Sequence, residues 1–213
     1  TAHMKAGANQ YAPMAGAISL RQAIAAKIQK LYNVEYNVDT EITVTAGATQ
    51  AIYTAISAII KKGDEVIVFT PAYDCYEPAI EINGGKTVFV KLKSTDYTID
   101  WIQVRKAVSE KTKMIILNTP HNPTGTVWSD ADLKELAKVT QGTDIIVLSD
   151  EVYEHIIFEG ETHQSVLRDK FLRERSLVVS SFGKTFHITG WKLGYIIGPE
   201  FIMKEFRKVH QFN

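Results

Sequence analysis

Short apolar runs separated by helical stripes constrain this chain more than any other feature. Runs at 42–45, 65–69, 87–90, 114–117, 145–148, 177–179 and 193–197 are strand-length and rich in Val and Ile. Between the early runs, Leu20, Ile24, Ile28 and Leu31 recur at helical spacing, and so do Ile52, Ile56, Ile59 and Ile60. Further helices are expected within 74–83, interrupted at Pro78, and after Asp100, which can cap a helix holding Trp101, Val104 and Val108. Ser129 and Asp132 form a capping-box-like start for a helix with Leu133, Leu136 and Ala137, and a last helix follows Pro199. Strands that read as continuous apolar runs, mostly alternating with helices, are buried on both faces. The expected fold class is therefore α/β: a three-layer α/β/α domain around a mostly parallel seven-stranded sheet. Residues 1–17, small, polar and punctuated by Gly and Pro, are expected to form an opening loop. No repeat or internal linker divides the chain, so one domain over 1–213 is expected.

Charge narrows the partners. The 24 basic and 24 acidic side chains cancel, which removes any electrostatic reason to expect nucleic acid or an anionic membrane surface. A small-molecule ligand is the default. The apolar runs fall far short of a bilayer span, and no secretory signal is legible at Thr1. The single cysteine, Cys75, cannot form an internal disulfide, which suits a reducing cytoplasm.

In sheets of this kind ligands bind beyond the carboxyl ends of the strands, and the notable polar residues fall there. Lys184 sits on a tight connection between the last two runs, flanked by Phe182 and Phe186. An amine held short of water there would have a lowered pKa and act as a nucleophile; the competing reading is a surface lysine on a loop. Asp150 ends a buried apolar run, where a carboxylate is costly unless a cation or several donors meet it; it could equally cap a helix from Val152 onward. Gly47-Ala48-Thr49 follows one strand and opens a helix, so its free N–H groups make either a phosphate site or an ordinary turn. Tyr73 follows Pro71 at another strand end, and Asn118, His121 and Asn122 lie in a Pro-rich turn that favours asparagine for conformational reasons alone.

Ser-Phe-Gly-Lys-Thr-Phe at 181–186, followed by Thr-Gly-Trp-Lys-Leu-Gly at 189–194, resembles the cofactor-lysine segment of the fold type I pyridoxal-phosphate (PLP) aminotransferases. Asn-Pro-Thr-Gly at 122–125 is a second signature of that family, and the resemblance runs over nearly the whole chain. It implies that Lys184 carries PLP as a Schiff base. It also implies that Gly47, Ala48, Thr49, Ser181 and Lys192 surround the phosphate, that Tyr73 stacks on the pyridine, and that Asp150 pairs with the ring nitrogen. Asn122 and Tyr153 would bond the phenolic oxygen, with Asn118 and His121 left as turn and packing residues. Tyr11, in Asn-Gln-Tyr-x-Pro-x-x-Gly, would cross a homodimer interface to the partner's phosphate, which would place 1–17 at that interface.

The implied reaction moves an amino group from an amino acid to a 2-oxo acid, Lys184 transferring the Cα proton. Asn-Gln-Tyr-x-Pro-x-x-Gly, Asp-Cys-Tyr-Glu-Pro at 74–78 and Pro-His-Asn-Pro-Thr-Gly at 120–125 are similar to the branch of methionine and kynurenine aminotransferases. Methionine or aromatic donors are expected over aspartate. The family's small domain, with its arginine for the substrate carboxylate, is expected to be missing, so cofactor binding is expected without efficient turnover. A β-lyase acting on cysteine conjugates and a PLP-sensing regulator would share these residues. A Rossmann dehydrogenase is disfavoured because no Gly-x-Gly-x-x-Gly opens a helix.

Overall fold

All seven expected runs are strands in the computed structural model, which describes residues 2–213. They are β1 Ile42–Thr45, β2 Glu65–Thr70, β3 Lys86–Lys91, β4 Thr112–Asn118, β5 Ile146–Asp150, β6 Ser176–Ser181 and β7 Gly194–Ile197. One sheet takes them in the order β1-β7-β6-β5-β4-β2-β3. Its pairs from β3 through β6 are parallel, while β7 runs antiparallel to both β6 and β1.

Alternation along the strands feeds two cores. Ile67, Phe69, Ile115, Leu117, Val147 and Val178 point to one face; Val66, Val68, Met114, Ile116, Leu148 and Val179 point to the other. The first face is covered by α2 (Ile18–Tyr32), α5 (Trp101–Ala107), α6 (Asp130–Thr140) and α7 (Lys170–Arg173), through buried residues such as Ile24, Val104, Leu136 and Leu172. The second is covered by α3 (Gly47–Ile59), α4 (Tyr76–Ile82) and α9 (Glu200–His210), through Ile52, Ile56, Ile80, Met203 and Phe206. Burying each such side chain contributes roughly 1.5–3 kcal/mol, which is why the apolar stripes choose these faces.

The caps form as expected: the Asp100 side chain accepts from the Ile102 and Gln103 amides, and Ser129 with Asp132 closes a full capping box. Three expectations are corrected. The opening stretch is not all loop, because α1 (Ala2–Lys5) forms there with no buried residue, pinned by Asn9 Nδ2 donating to the Met4 carbonyl at 3.1 Å; Thr1 lies outside the described residues. Pro78 does not interrupt its helix, since it sits in the first turn of α4, where a missing N–H breaks no bond. Lys184 lies on a four-residue helix, α8 (Phe182–Thr185), that a 3₁₀ turn at Thr189–Trp191 links to β7.

Strand direction decides where the site can be. The carboxyl ends of β4, β5 and β6 share one rim of the sheet, and β1, antiparallel to the antiparallel β7, ends there too. The start of β7 returns to the same rim, which brings Lys192 and Leu193 beside the N-terminus of α3.

Candidate active site

A cavity of about 180 Å³ opens at that rim, lined by Gly47, Ala48, Thr49, Tyr73, Asn118, Asn122, Asp150, Tyr153, Ser181, Lys184 and Lys192 among others. Every site residue expected from the sequence except Tyr11 is in this lining, and Tyr11 stands fully exposed (100%) on the opening stretch.

Asp150 ends β5 and is 3% exposed. Its Oδ2 accepts from the Tyr76 hydroxyl at 2.6 Å and its Oδ1 from the Val152 amide at 3.3 Å, a turn contact with no helix beyond it. Burial pushes this carboxyl up to about 6, against the lowering effect of its two donors. The same burial drives the Tyr76 hydroxyl well above its ordinary range. Tyr73, half-buried, packs edge-on against Tyr76 with ring centroids 5.8 Å apart.

The opposite end of the cavity is built for an anion. α3 begins at Gly47 with no side-chain cap, so its first amides are free. Gly47 takes φ +83°, which a residue with a Cβ rarely adopts. At Gly194 a Cβ would come within 2.9 Å of the Gly47 carbonyl carbon and 3.0 Å of the Ala48 nitrogen, so glycine lets the helix end seat on β7. The Ser181 Oγ accepts from the Gly183 amide at 3.1 Å, and Lys192, left-handed at φ 52°, lines the cavity beside it.

Lys184 and Tyr153 lie between these ends, with the lysine Nζ 5.7 Å from the centre of the tyrosine ring. Lys184 is exposed, contrary to the expectation that its neighbours dry it out. Phe182 and Phe186 stack on each other at 6.1 Å, and Phe186 points largely to solvent. A short helix turns both rings away from the amine.

The reading of Asn118 as a turn residue misses its place. Its Nδ2 donates to the Asp150 carbonyl at 2.9 Å and its Oδ1 accepts from the Asn122 amide at 2.7 Å, so it ties the end of β5 to the turn that carries Asn122. A signal was available, because Asn118 ends a buried run just as Asp150 does. Tyr76 carries no such signal, because its bond to Asp150 joins the start of α4 to the end of β5, far apart in sequence.

The lining suits a flat group with a cationic ring atom at one end, a phosphate at the other and a carbonyl between. The buried carboxyl pushed up by desolvation gains most from a cation, the uncapped helix end from an anion, and the open amine lies between them.

Fold and site together define an α/β chain with a small-molecule cavity at the carboxyl rim of its sheet. The chain belongs to the aminotransferase class I and II family, which matches residues 2–213 and is PLP-dependent. It is 52% identical over 210 residues to a methionine aminotransferase of Escherichia coli, covering 99% of this chain and 54% of that protein. It is 39% identical to kynurenine–oxoglutarate transaminase 3 of Homo sapiens, covering 95% of this chain and 47% of the relative. A crystal structure from Escherichia coli, described as having a methionine aminotransferase function, superposes with TM-score 0.97 at 52% identity, over 99% of this chain and 56% of that one. An aromatic aminotransferase from Pyrococcus horikoshii superposes with TM-score 0.94 at 38% identity, over all of this chain and 57% of the other. The chain thus spans about half the length of the curated relatives it matches.

Proposed function

We propose that this chain is the large, PLP-binding domain of an aminotransferase that takes methionine or an aromatic amino acid as donor and a 2-oxo acid as acceptor. One observation carries the reading: a single cavity brings together an amine, a buried carboxyl and an uncapped helix end from segments far apart in sequence. When bound, the cofactor supplies an electron sink for the bonds at the substrate Cα.

Lys184 is the amine that would hold it covalently and, when free, would take the Cα proton and return it. Asp150 would keep a proton on the ring nitrogen, and Asn122 and Tyr153 would donate to the ring oxygen. Tyr73 would pack on the ring, while the amides at 47–49, the Ser181 hydroxyl and the Lys192 ammonium would take the phosphate. The preference for methionine or aromatic donors rests on the relatives named above, which are methionine, kynurenine and aromatic aminotransferases. The fully exposed Tyr11 suits a homodimer in which it reaches the partner's phosphate. Among the described residues no helix is long and apolar enough to cross a membrane, and a lone Cys75 thiol that burial pushes up to about 12 suits a cytoplasmic enzyme.

An absorbance spectrum with added PLP tests this. With the full-length protein, a visible band is expected that is lost with methionine far faster than with aspartate, restored by a 2-oxo acid, and trapped by borohydride only when Lys184 is present. Pyruvate and ammonia as products would point to β-elimination instead. An unchanged borohydride adduct in Lys184→Ala would remove Lys184 from its role, and sedimentation of the holoprotein as a monomer would remove Tyr11 from its own.

A further inference from the structure

Behind the cavity wall lies a buried polar cluster that none of the roles above uses. Glu154, 5% exposed, follows Tyr153 directly. Its Oε1 pairs with Lys27 Nζ from α2 and accepts from the Ser180 hydroxyl of β6 at 2.8 Å and the Tyr195 hydroxyl of β7 at 3.4 Å. Its Oε2 accepts from the Tyr32 hydroxyl of α2 at 2.9 Å. Lys27 also donates to the Tyr195 hydroxyl at 2.8 Å, and His155 Nε2 lies 3.9 Å from Oε1. Burial by itself pushes the Glu154 carboxyl up, but Lys27 and the donors around it outweigh that and hold it below the usual carboxylate range.

The position of this cluster matters more than its strength. Backbone pairing of β5 with β6 ends at Asp150 opposite Val179, with the Glu151 amide bonded to the Val179 carbonyl. Beyond that point the two strands separate to form the cavity, one carrying Tyr153 and the other Ser181 and Lys184. Glu154 is the cross-link between these separated segments, reaching Ser180, the neighbour of Ser181. Glu151, equally buried on the same turn, is tied elsewhere: to Ser149 at 2.7 Å, His163 at 2.8 Å and the Val166 amide at 3.2 Å.

We propose that Glu154 is a positioning residue which, by gripping α2, β6 and β7 at once, sets the spacing of Tyr153 against Ser181 and Lys184 across the cavity. The proposal rests on the reading of those three as cofactor contacts. If the grip fails, Tyr153 no longer holds its hydroxyl on the ring oxygen. An oxygen that loses a donor becomes more basic, so the pH midpoint of the bound cofactor's visible band should rise.

The test compares the wild-type holoprotein with Glu154→Gln, Ser180→Ala and Glu151→Gln, measuring PLP affinity, that pH midpoint and the melting temperature without PLP. Glu154→Gln should weaken PLP binding about tenfold or more and raise the midpoint by about half a unit or more. Ser180→Ala, which cuts only the link to β6, should shift the midpoint in the same direction with little loss of melting temperature. If Glu154→Gln does not fold, Ser180→Ala decides alone. Glu151→Gln should lower the melting temperature and move the midpoint less than Glu154→Gln does, since its charge reaches the site only through Asp150. Midpoints that stay at the wild-type value in Glu154→Gln and Ser180→Ala, or that move as much in Glu151→Gln, would overturn the proposal while the cofactor reading stands. A wild-type protein with no visible band would overturn both.

Discussion

Asp150 shows most plainly how burial makes one residue's stability cost depend on pH. Its carboxyl is raised by burial to about 6 from an ordinary 3.8, so the folded chain binds this proton more tightly than the unfolded chain does. Between about pH 4 and pH 6 the unfolded state therefore carries less of the proton, and stability falls as pH rises through that window. At about 1.4 kcal/mol per unit, the charged carboxylate costs the cofactor-free protein on the order of 2–3 kcal/mol at neutral pH. Asp150→Asn, which can still accept from Tyr76, should remove that slope and stabilise the apoprotein above pH 6, while PLP affinity falls. Urea unfolding at pH 4.5 and pH 7, with and without PLP, measures both. The sequence made Asp150 legible because a carboxylate ending a buried run is conspicuous. Tyr76, its donor, was illegible because the bond joins residues on α4 and β5, and no local pattern announces such a partner. Lys184 was legible as the amine but not in its exposure, which depends on how α8 turns Phe182 and Phe186 aside.

Among the elements, α3 and α6 make a useful contrast, because both were visible from apolar stripes and their N-termini do different work. α6 closes its own end with a capping box, whereas α3 leaves its first amides facing the cavity. Ser129→Ala should cost about 1 kcal/mol in thermal or urea unfolding and leave PLP affinity unchanged. Gly194→Ala should behave in the opposite way. Its Cβ would meet Ser180 O at 2.8 Å and the Gly47 backbone at 2.9 Å, neither of which can swing aside. It should destabilise by about 1–3 kcal/mol and weaken PLP binding at least tenfold, read by titrating the visible band. The sequence showed that Gly47 opens a helix, but the need for Gly194 opposite it arises only once β7 lies against α3. The four residues of α8 and of α1 are too short to show a helical period, which is why both stretches read as loop.

For the whole molecule, the two-sided cover of the sheet was readable because runs without alternation must be buried on both faces. Strand order and the reversal of β7 were not, since they depend on which runs pair across the fold. That reversal has a consequence for how the protein is made. Among the described residues the first strand, β1, pairs with no strand except β7, which follows it by about 150 residues and comes after the other six in sequence order. Until β7 is in place the N-terminus of α3 lacks the strand on which it seats, and the rim that carries the cavity lacks one of its walls. Nascent chains halted before Gly194 should therefore stay colourless when PLP is supplied, with the yellow of the bound cofactor arriving only once β7 has emerged.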